Sequence, residues 1–208
     1  MKPIDLSTWD RRESYAYYRT FAQPKYNLTF SLDVTHFYDR IKRENRSFYL
    51  SFIHFILEIM NRHERFKYRV IDEKIYYFDT IHPSFTDLIP HTDAYRIITV
   101  NHDKDLTHFI DLVDQKREKQ GKKFIDTQDE KRQDLVYITT FPWGTYTQLT
   151  HADELKQEDA IPRLAWGKWE IRDGKKWMPF SIMVHHGFID GLHVGQLLME
   201  IHEKLSLL

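Results

Sequence analysis

The residues most able to do chemistry lie near the end of the chain, in Met183-Val184-His185-His186-Gly187-Phe188-Ile189-Asp190-Gly191-Leu192-His193-Val194-Gly195. Histidine is the side chain whose ordinary proton affinity lets it take and return a proton near neutral pH. Held rigidly beside a substrate hydroxyl, it serves as a general base. The run Pro179 to Val184 reads as a buried strand that stops at the histidine pair, which would supply that rigidity. Gly187 and Gly191 permit backbone turns that residues with a Cβ resist. Asp190 stands where it would cap, and charge, the N-terminus of a final helix running from about Asp190 to Leu205.

With twelve histidines in 208 residues, a single one carries little weight. His54, on an apolar helix face, reads as a satisfied structural residue, and His202 as a solvent-facing one. The joint pattern His-His-x-x-x-Asp-Gly is different: the residue frequencies of this chain give on the order of 0.002 chance occurrences, so the motif is specific. A metal site built from His185, His186 and His193 is a competing reading. It is disfavoured because adjacent strand residues point to opposite faces.

The elements that would position this segment follow from periodicity. Ser7 to Arg19 reads as a short helix capped by Ser7 or Thr8. Tyr26 to Val34 alternates apolar and polar residues, as a strand with one buried face does. Thr35 to Glu44 and Phe48 to His63 read as helices, the second apolar nearly all round and so largely buried. Tyr68 to Ile71 and Ile75 to Phe78 flank Asp72-Glu73-Lys74 as a hairpin. Phe85 to Ile89, Tyr95 to Val100 and Asp134 to Phe141 are strand candidates, and His102 to Gln120 is a polar helix ending at Gly121. Arg163 to Ile171 and Lys176 to His186 flank Asp173-Gly174, the strongest hairpin signal in the chain. Strands and helices mix without a regular βαβ alternation. The fold class expected is therefore α+β, a two-layer sandwich with a mixed sheet covered by helices.

Thirty Lys and Arg against 31 Asp and Glu leave a formal charge of −1. There is no basic surface of the kind that binds nucleic acid phosphates. The absence of cysteine rules out disulfides, thiolate nucleophiles and Cys-ligated metals. No linker and no repeat divides residues 1–208, so one domain is expected. Neither an apolar signal core nor an 18-residue apolar run occurs, so no membrane association is expected and a cytoplasmic location is the default.

The segment His185 to Gly195 resembles the chloramphenicol acetyltransferase family, whose motif is His-His-x-x-x-Asp-Gly-x-His-Val-Gly. The shorter His-His-x-x-x-Asp-Gly also occurs in dihydrolipoamide acyltransferases and peptide-synthetase condensation domains. Four further stretches narrow the resemblance: Trp9-Asp10-Arg11-Arg12-Glu13, Ala22-Gln23-Pro24-Lys25-Tyr26-Asn27, Phe48 to His54, and Pro142-Trp143. Together they span essentially the whole chain.

The resemblance implies acetyl transfer from acetyl-CoA to a hydroxyl of chloramphenicol or a similar acceptor, with no metal. His186 would be the general base, in a direct attack within a ternary complex. That route agrees with a chain lacking both cysteine and a Gly-x-Ser-x-Gly elbow. Asp190 would pair with Arg11 and brace the site. Tyr18 would face the acceptor, and Tyr49 and Trp169 the CoA. A homotrimer with its active sites between subunits is also implied.

Three departures bear on activity. Where the family has an oxyanion-stabilising serine, an ungapped count places Gln148, with Thr145 and Thr147 nearby. A threonine that orients the intermediate through water aligns with Ala165. The stretch from Gln148 to Asp159 is more polar than the family's acceptor-facing segment. Two alternatives stay open: a family member acting on another hydroxylated acceptor, and a non-catalytic trimeric relative that binds a small molecule or CoA.

Overall fold

The computed structural model describes residues 1–152 and 159–208. In chain order the elements are β1 (Lys2–Pro3), α1 (Arg12–Tyr18), β2 (Lys25–Asp33), α2 (Thr35–Arg43) and α3 (Phe48–Met60). Then come β3 (Tyr68–Ile71), β4 (Lys74–Tyr77), β5 (His82–Leu88), β6 (Tyr95–Thr99) and α4 (Leu106–Gln120). The chain closes with β7 (Leu135–Phe141), β8 (Arg163–Gly167), β9 (Glu170–Arg172), β10 (Lys175–His185) and α5 (Gly191–Ser206).

Alternation in β2 does what the pattern predicts. The strand pairs antiparallel with β10 over its full length, from Lys25 opposite His185 to Asp33 opposite Trp177. The main sheet runs β2-β10-β8-β7-β5-β6, with β9 attached to β10. The β5–β7 and β7–β8 pairs are parallel and the others antiparallel, so the sheet is mixed. A small second sheet, β1-β4-β3, stands apart from it. The α+β class with a mixed sheet and packed helices is as expected.

The core is anchored by α3. Phe52, Ile53, Ile56, Leu57 and Met60 are fully buried there, each contributing about 1.5–3 kcal/mol by leaving water. Ser47 caps the helix by accepting from the Leu50 N–H. At the Asp173-Gly174 turn, both residues take positive φ (51° and 76°) as a tight hairpin turn requires.

Of the boundaries that differ from expectation, three shift because local hydrogen bonds win. Ser7 does not cap a helix: its N–H and hydroxyl both donate to Asp5 Oδ1, at 2.9 and 2.7 Å. The helix therefore starts only at Arg12, after an Arg11 with no side-chain cap. The helix over Phe48 stops at Met60 rather than His63, and Glu64–Lys67 forms a 3-10 turn. The polar helix starts at Leu106 rather than His102, because Asp105 accepts from the His108 N–H at 2.8 Å. The stretch Arg163 to Ile171 breaks in two where the Lys168 N–H leaves the sheet to donate to Gly144 O at 2.8 Å.

Candidate active site

The site is built where β10 ends and α5 begins. His185, the last residue of β10, is 2% exposed, and its Nδ1 accepts from the Gly187 N–H at 3.0 Å. That close approach needs glycine: a Cβ at position 187 would lie 2.9 Å from the His185 ring and 3.1 Å from the Tyr15 Cα.

His186 comes next, half-buried, its N–H donating to Pro24 O at 2.9 Å. Its carbonyl accepts from an Arg11 guanidinium N–H at 3.3 Å. The imidazole lies flat on Tyr18, ring centroids 4.1 Å apart and planes 8° from parallel. Tyr26 packs against the same imidazole at 4.6 Å, tilted by 44°.

Asp190 ties the strand end to the helix. One carboxylate oxygen accepts from Arg11 at 2.8 Å and the other from the Leu192 N–H at 3.0 Å. The Asp190 N–H in turn donates to His193 Nδ1 at 3.1 Å, completing a reciprocal cap with histidine in the place usually held by Glu or Gln. Burial pushes the Asp190 carboxyl up, but the Arg11 hydrogen bond and the charges of His193 and Arg11 outweigh it, so it lies below the usual carboxylate range. Burial lowers the His193 pKa, and the Asp190 charge offsets this only in part.

A cavity of about 730 Å³ has Tyr38, Tyr49, Trp143, Trp166 and Trp169 among its walls. A second cavity, of about 490 Å³, shares Thr86, Tyr95 and Thr139 with it. None of the residues lining either cavity is among those that touch the His186 ring.

A sequence model of the family "chloramphenicol acetyltransferase" matches residues 1–202. The chain belongs to that family. A chloramphenicol acetyltransferase of Klebsiella sp. is 27% identical over 200 residues, spanning 96% of this chain and 91% of the relative. One of Streptomyces acrimycini is 27% identical over 212 residues, covering 98% and 94%. A solved chloramphenicol acetyltransferase superposes with a TM-score of 0.90 at 23% identity, covering 98% of this chain and 99% of that one, a likeness of fold. A truncated catalytic core of the 2-oxoacid dehydrogenase multienzyme complex from Thermoplasma acidophilum follows the same fold at a TM-score of 0.68 and 13% identity, covering 99% and 98%.

Tyr49 and Trp169, the two aromatics expected on the CoA side, are distant in sequence, yet both line the larger cavity. Tyr49 presents its ring only, because its hydroxyl donates to Thr86 O at 2.7 Å. Tyr18, expected on the acceptor side, lies on His186 and lines neither cavity. Thr145 and Gln148 are both exposed and line neither cavity. Thr145 sits between two anchored neighbours: Gly144 O accepts from Lys168 N–H, and the Tyr146 hydroxyl donates to Ala165 O at 2.9 Å. Leu149, Thr150, His151 and Ala152 of the polar stretch line the second cavity, whereas Asp153 and Glu154 lie outside the described residues.

The three histidines of the competing metal reading have separate occupations: His185 under Gly187, His186 against two tyrosines, His193 in the helix cap. His54 donates through Nε2 to Lys104 O, and His202 is exposed, each in keeping with a structural role.

Sequence reasoning missed the Asp87 cluster. Asp87 lines the larger cavity and holds Arg96 at 3.0 Å and Arg117 at 3.1 Å. These three residues carry no motif, so only the β5–β6 pairing and the packing of α4 join them.

Arg11→Ala removes the one guanidinium that bridges Asp190 and the His186 carbonyl. The Asp190 side chain is 32% exposed and that of Arg11 13%. Solvent screens part of the loss, so about 1–2 kcal/mol of stability is expected to go. Arg11→Lys recovers only part of it, because an ammonium lacks the fork that serves two acceptors at once. Chemical denaturation of the three proteins checks this; an unchanged midpoint for Arg11→Ala would refute the bracing role.

Proposed function

We propose that this protein is a chloramphenicol O-acetyltransferase, taking the acetyl group from acetyl-CoA and using His186 as the general base. The observation that carries the reading is the His186 slot. Backbone bonds to Pro24 and Arg11 fix its main chain, and the Tyr18 stack fixes its ring plane. A base so held needs no reorganisation before it acts. His186 Nε2 removes the proton from an acceptor hydroxyl as the oxygen attacks the thioester carbonyl. Collapse of the tetrahedral intermediate expels the CoA thiolate, which recovers the proton from the imidazolium.

Acetyl-CoA is a co-substrate, and the larger cavity suits its pantetheine arm, with Tyr49 and Trp169 as aromatic walls and Lys168 as a cation at the rim. No metal takes part in the proposed reaction. The separation of His186 from both cavities within one chain supports a homotrimer in which the base of one subunit serves the pocket of the next. Residues 1–208 act as one domain. Among the described residues no helix is long and apolar enough to cross a membrane, in keeping with a cytoplasmic enzyme whose product is an inactivated antibiotic.

For the oxyanion, the anchored turn favours Thr145 over Gln148. Thr145→Ala is expected to lower kcat by roughly 10²–10³, the cost of losing one oxyanion donor. Gln148→Ala should stay near wild type. The reverse ranking would move the role to the glutamine.

Release of free thiol from acetyl-CoA on addition of chloramphenicol tests the function. Steady turnover supports it. No release from a folded protein that still binds CoA would overturn it in favour of a non-catalytic relative, and release only with another hydroxylated compound would correct the acceptor.

A further inference from the structure

After β7 the chain turns through Pro142 and Trp143, and both residues wall the larger cavity. Trp143 is 67% exposed, so its own burial does little to keep it there. The turn is held at Gly144 and at Tyr146 instead. Gly144 O accepts from the Lys168 N–H, and the Tyr146 hydroxyl donates to Ala165 O at 2.9 Å. The same phenol oxygen accepts from Ser181 Oγ at 3.2 Å, and Ser181 Oγ meets Thr29 Oγ1 at 2.7 Å.

Sheet register explains why these hydroxyls meet. Thr139, Ala165, Ser181 and Thr29 stand opposite one another in turn across β7, β8, β10 and β2. Opposed residues share one face of a sheet, so the row carries hydroxyls except at Ala165, and there the Tyr146 hydroxyl arrives from the turn. Thr139, on the other side of Ala165, lines both cavities. Ser181 is fully buried, and a buried hydroxyl left without a partner is costly. Its bond to Tyr146 therefore favours the phenol lying down on the sheet. Burial raises the Tyr146 pKa and the Ser181 bond offsets this only in part, so the hydroxyl keeps the proton it donates.

Gly167 makes room for the turn. A Cβ at that position would lie 2.8 Å from Gly144 O and 3.0 Å from Tyr146 Cδ1. A glycine in a strand marks such a close approach of another backbone.

We propose that Tyr146 is a positioning residue for acetyl-CoA: its hydroxyl latches the turn after β7 to the sheet, so that Pro142 and Trp143 stand as a finished wall of the larger cavity before the co-substrate arrives. A wall ordered in advance costs nothing when the ligand binds, whereas a loose one is ordered at the expense of affinity. This inference rests on the larger cavity being the acetyl-CoA site.

Tyr146→Phe keeps the ring and removes only the latch. Its affinity for CoA, measured by calorimetry, is expected to fall about 3–10-fold, the worth of one net hydrogen bond. KM for acetyl-CoA should rise by the same factor while KM for chloramphenicol stays where it was. A residue that only supports the fold would lower the melting temperature without that split. Ser181→Ala, which leaves the bond to Ala165 O, should give a smaller fall in CoA affinity. Wild-type CoA affinity in Tyr146→Phe would overturn the proposal.

A ligand-free readout separates failure of the latch from failure of the acetyl-CoA reading. Amide hydrogen exchange over residues 143–147 of the free protein should be faster in Tyr146→Phe, while α3 exchanges as in the wild type. Equal exchange in the two proteins refutes the latch. Faster exchange beside unchanged CoA affinity refutes the positioning role. A wild type that binds no CoA would overturn both the cavity reading and the role built on it, with the exchange comparison showing whether the latch alone survives.

Discussion

His186→Ala is expected to lower chloramphenicol-dependent thiol release by about 10³-fold, within the range that a positioned general base supplies. The KM for acetyl-CoA should stay nearly constant, since no residue lining the larger cavity touches the His186 ring. The neighbouring substitution should behave in the opposite sense. His185 is buried beneath Gly187 and accepts its N–H, so His185→Ala opens a cavity and leaves a buried donor unpaired. Two adjacent histidines thus divide the work: loss of one removes turnover from a stable protein, loss of the other removes stability. Melting curves run beside the thiol assay check the division. Residual turnover of a tenth or more in His186→Ala would place the base elsewhere.

The largest single stability effect outside the site is expected at Arg69. The residue is 1% exposed, and among the described residues it makes no ion pair. Instead it donates to four backbone carbonyls: Gln133 at 2.7 Å, Phe66 at 2.9 Å, Tyr68 at 2.7 Å and Leu135 at 2.6 Å. Burial lowers its pKa to about 10, with the charges of Asp159, Asp134 and Tyr137 opposing the fall, so it stays a cation at neutral pH. It joins β3, in the small sheet, to the start of β7, in the large one. Arg69→Met keeps the bulk but strands four acceptors, at an expected cost of about 3–5 kcal/mol. For a chain of this length that is a drop of roughly 10 °C in melting temperature. Arg69→Lys, with three donors on one nitrogen, should fall between the two. A Met variant that melts with the wild type would mean that water replaces the guanidinium at those carbonyls.

The site was legible in sequence to the extent that its residues are local or share a motif. His185 to Gly195 is one strand end, one turn and one helix start, and each has a signature: apolar run, glycine, Asp before a helix. Arg11 is 179 residues from Asp190, and only family resemblance joined them before the structure placed them 2.8 Å apart. Where local chemistry competed with periodicity, the sequence reading erred. Asp5 captured Ser7, Asp105 displaced the expected start of α4, and Gly144 drew Lys168 out of the sheet. In each case one or two local hydrogen bonds override a weak propensity.

Strand and helix identities, the covalent chemistry open to a cysteine-free chain, and the histidine at the strand end are all local features, because period, composition and motif are properties of neighbouring residues. The surroundings of that histidine and the place of the cavities come from the folded arrangement instead. Tyr18 and Tyr26 meet across His186, Tyr49 and Trp169 meet across a cavity, and Asp87 meets Arg96 and Arg117. Such contacts depend on strand order and helix packing, and these are set by how the whole chain buries its apolar faces rather than by any stretch of it alone.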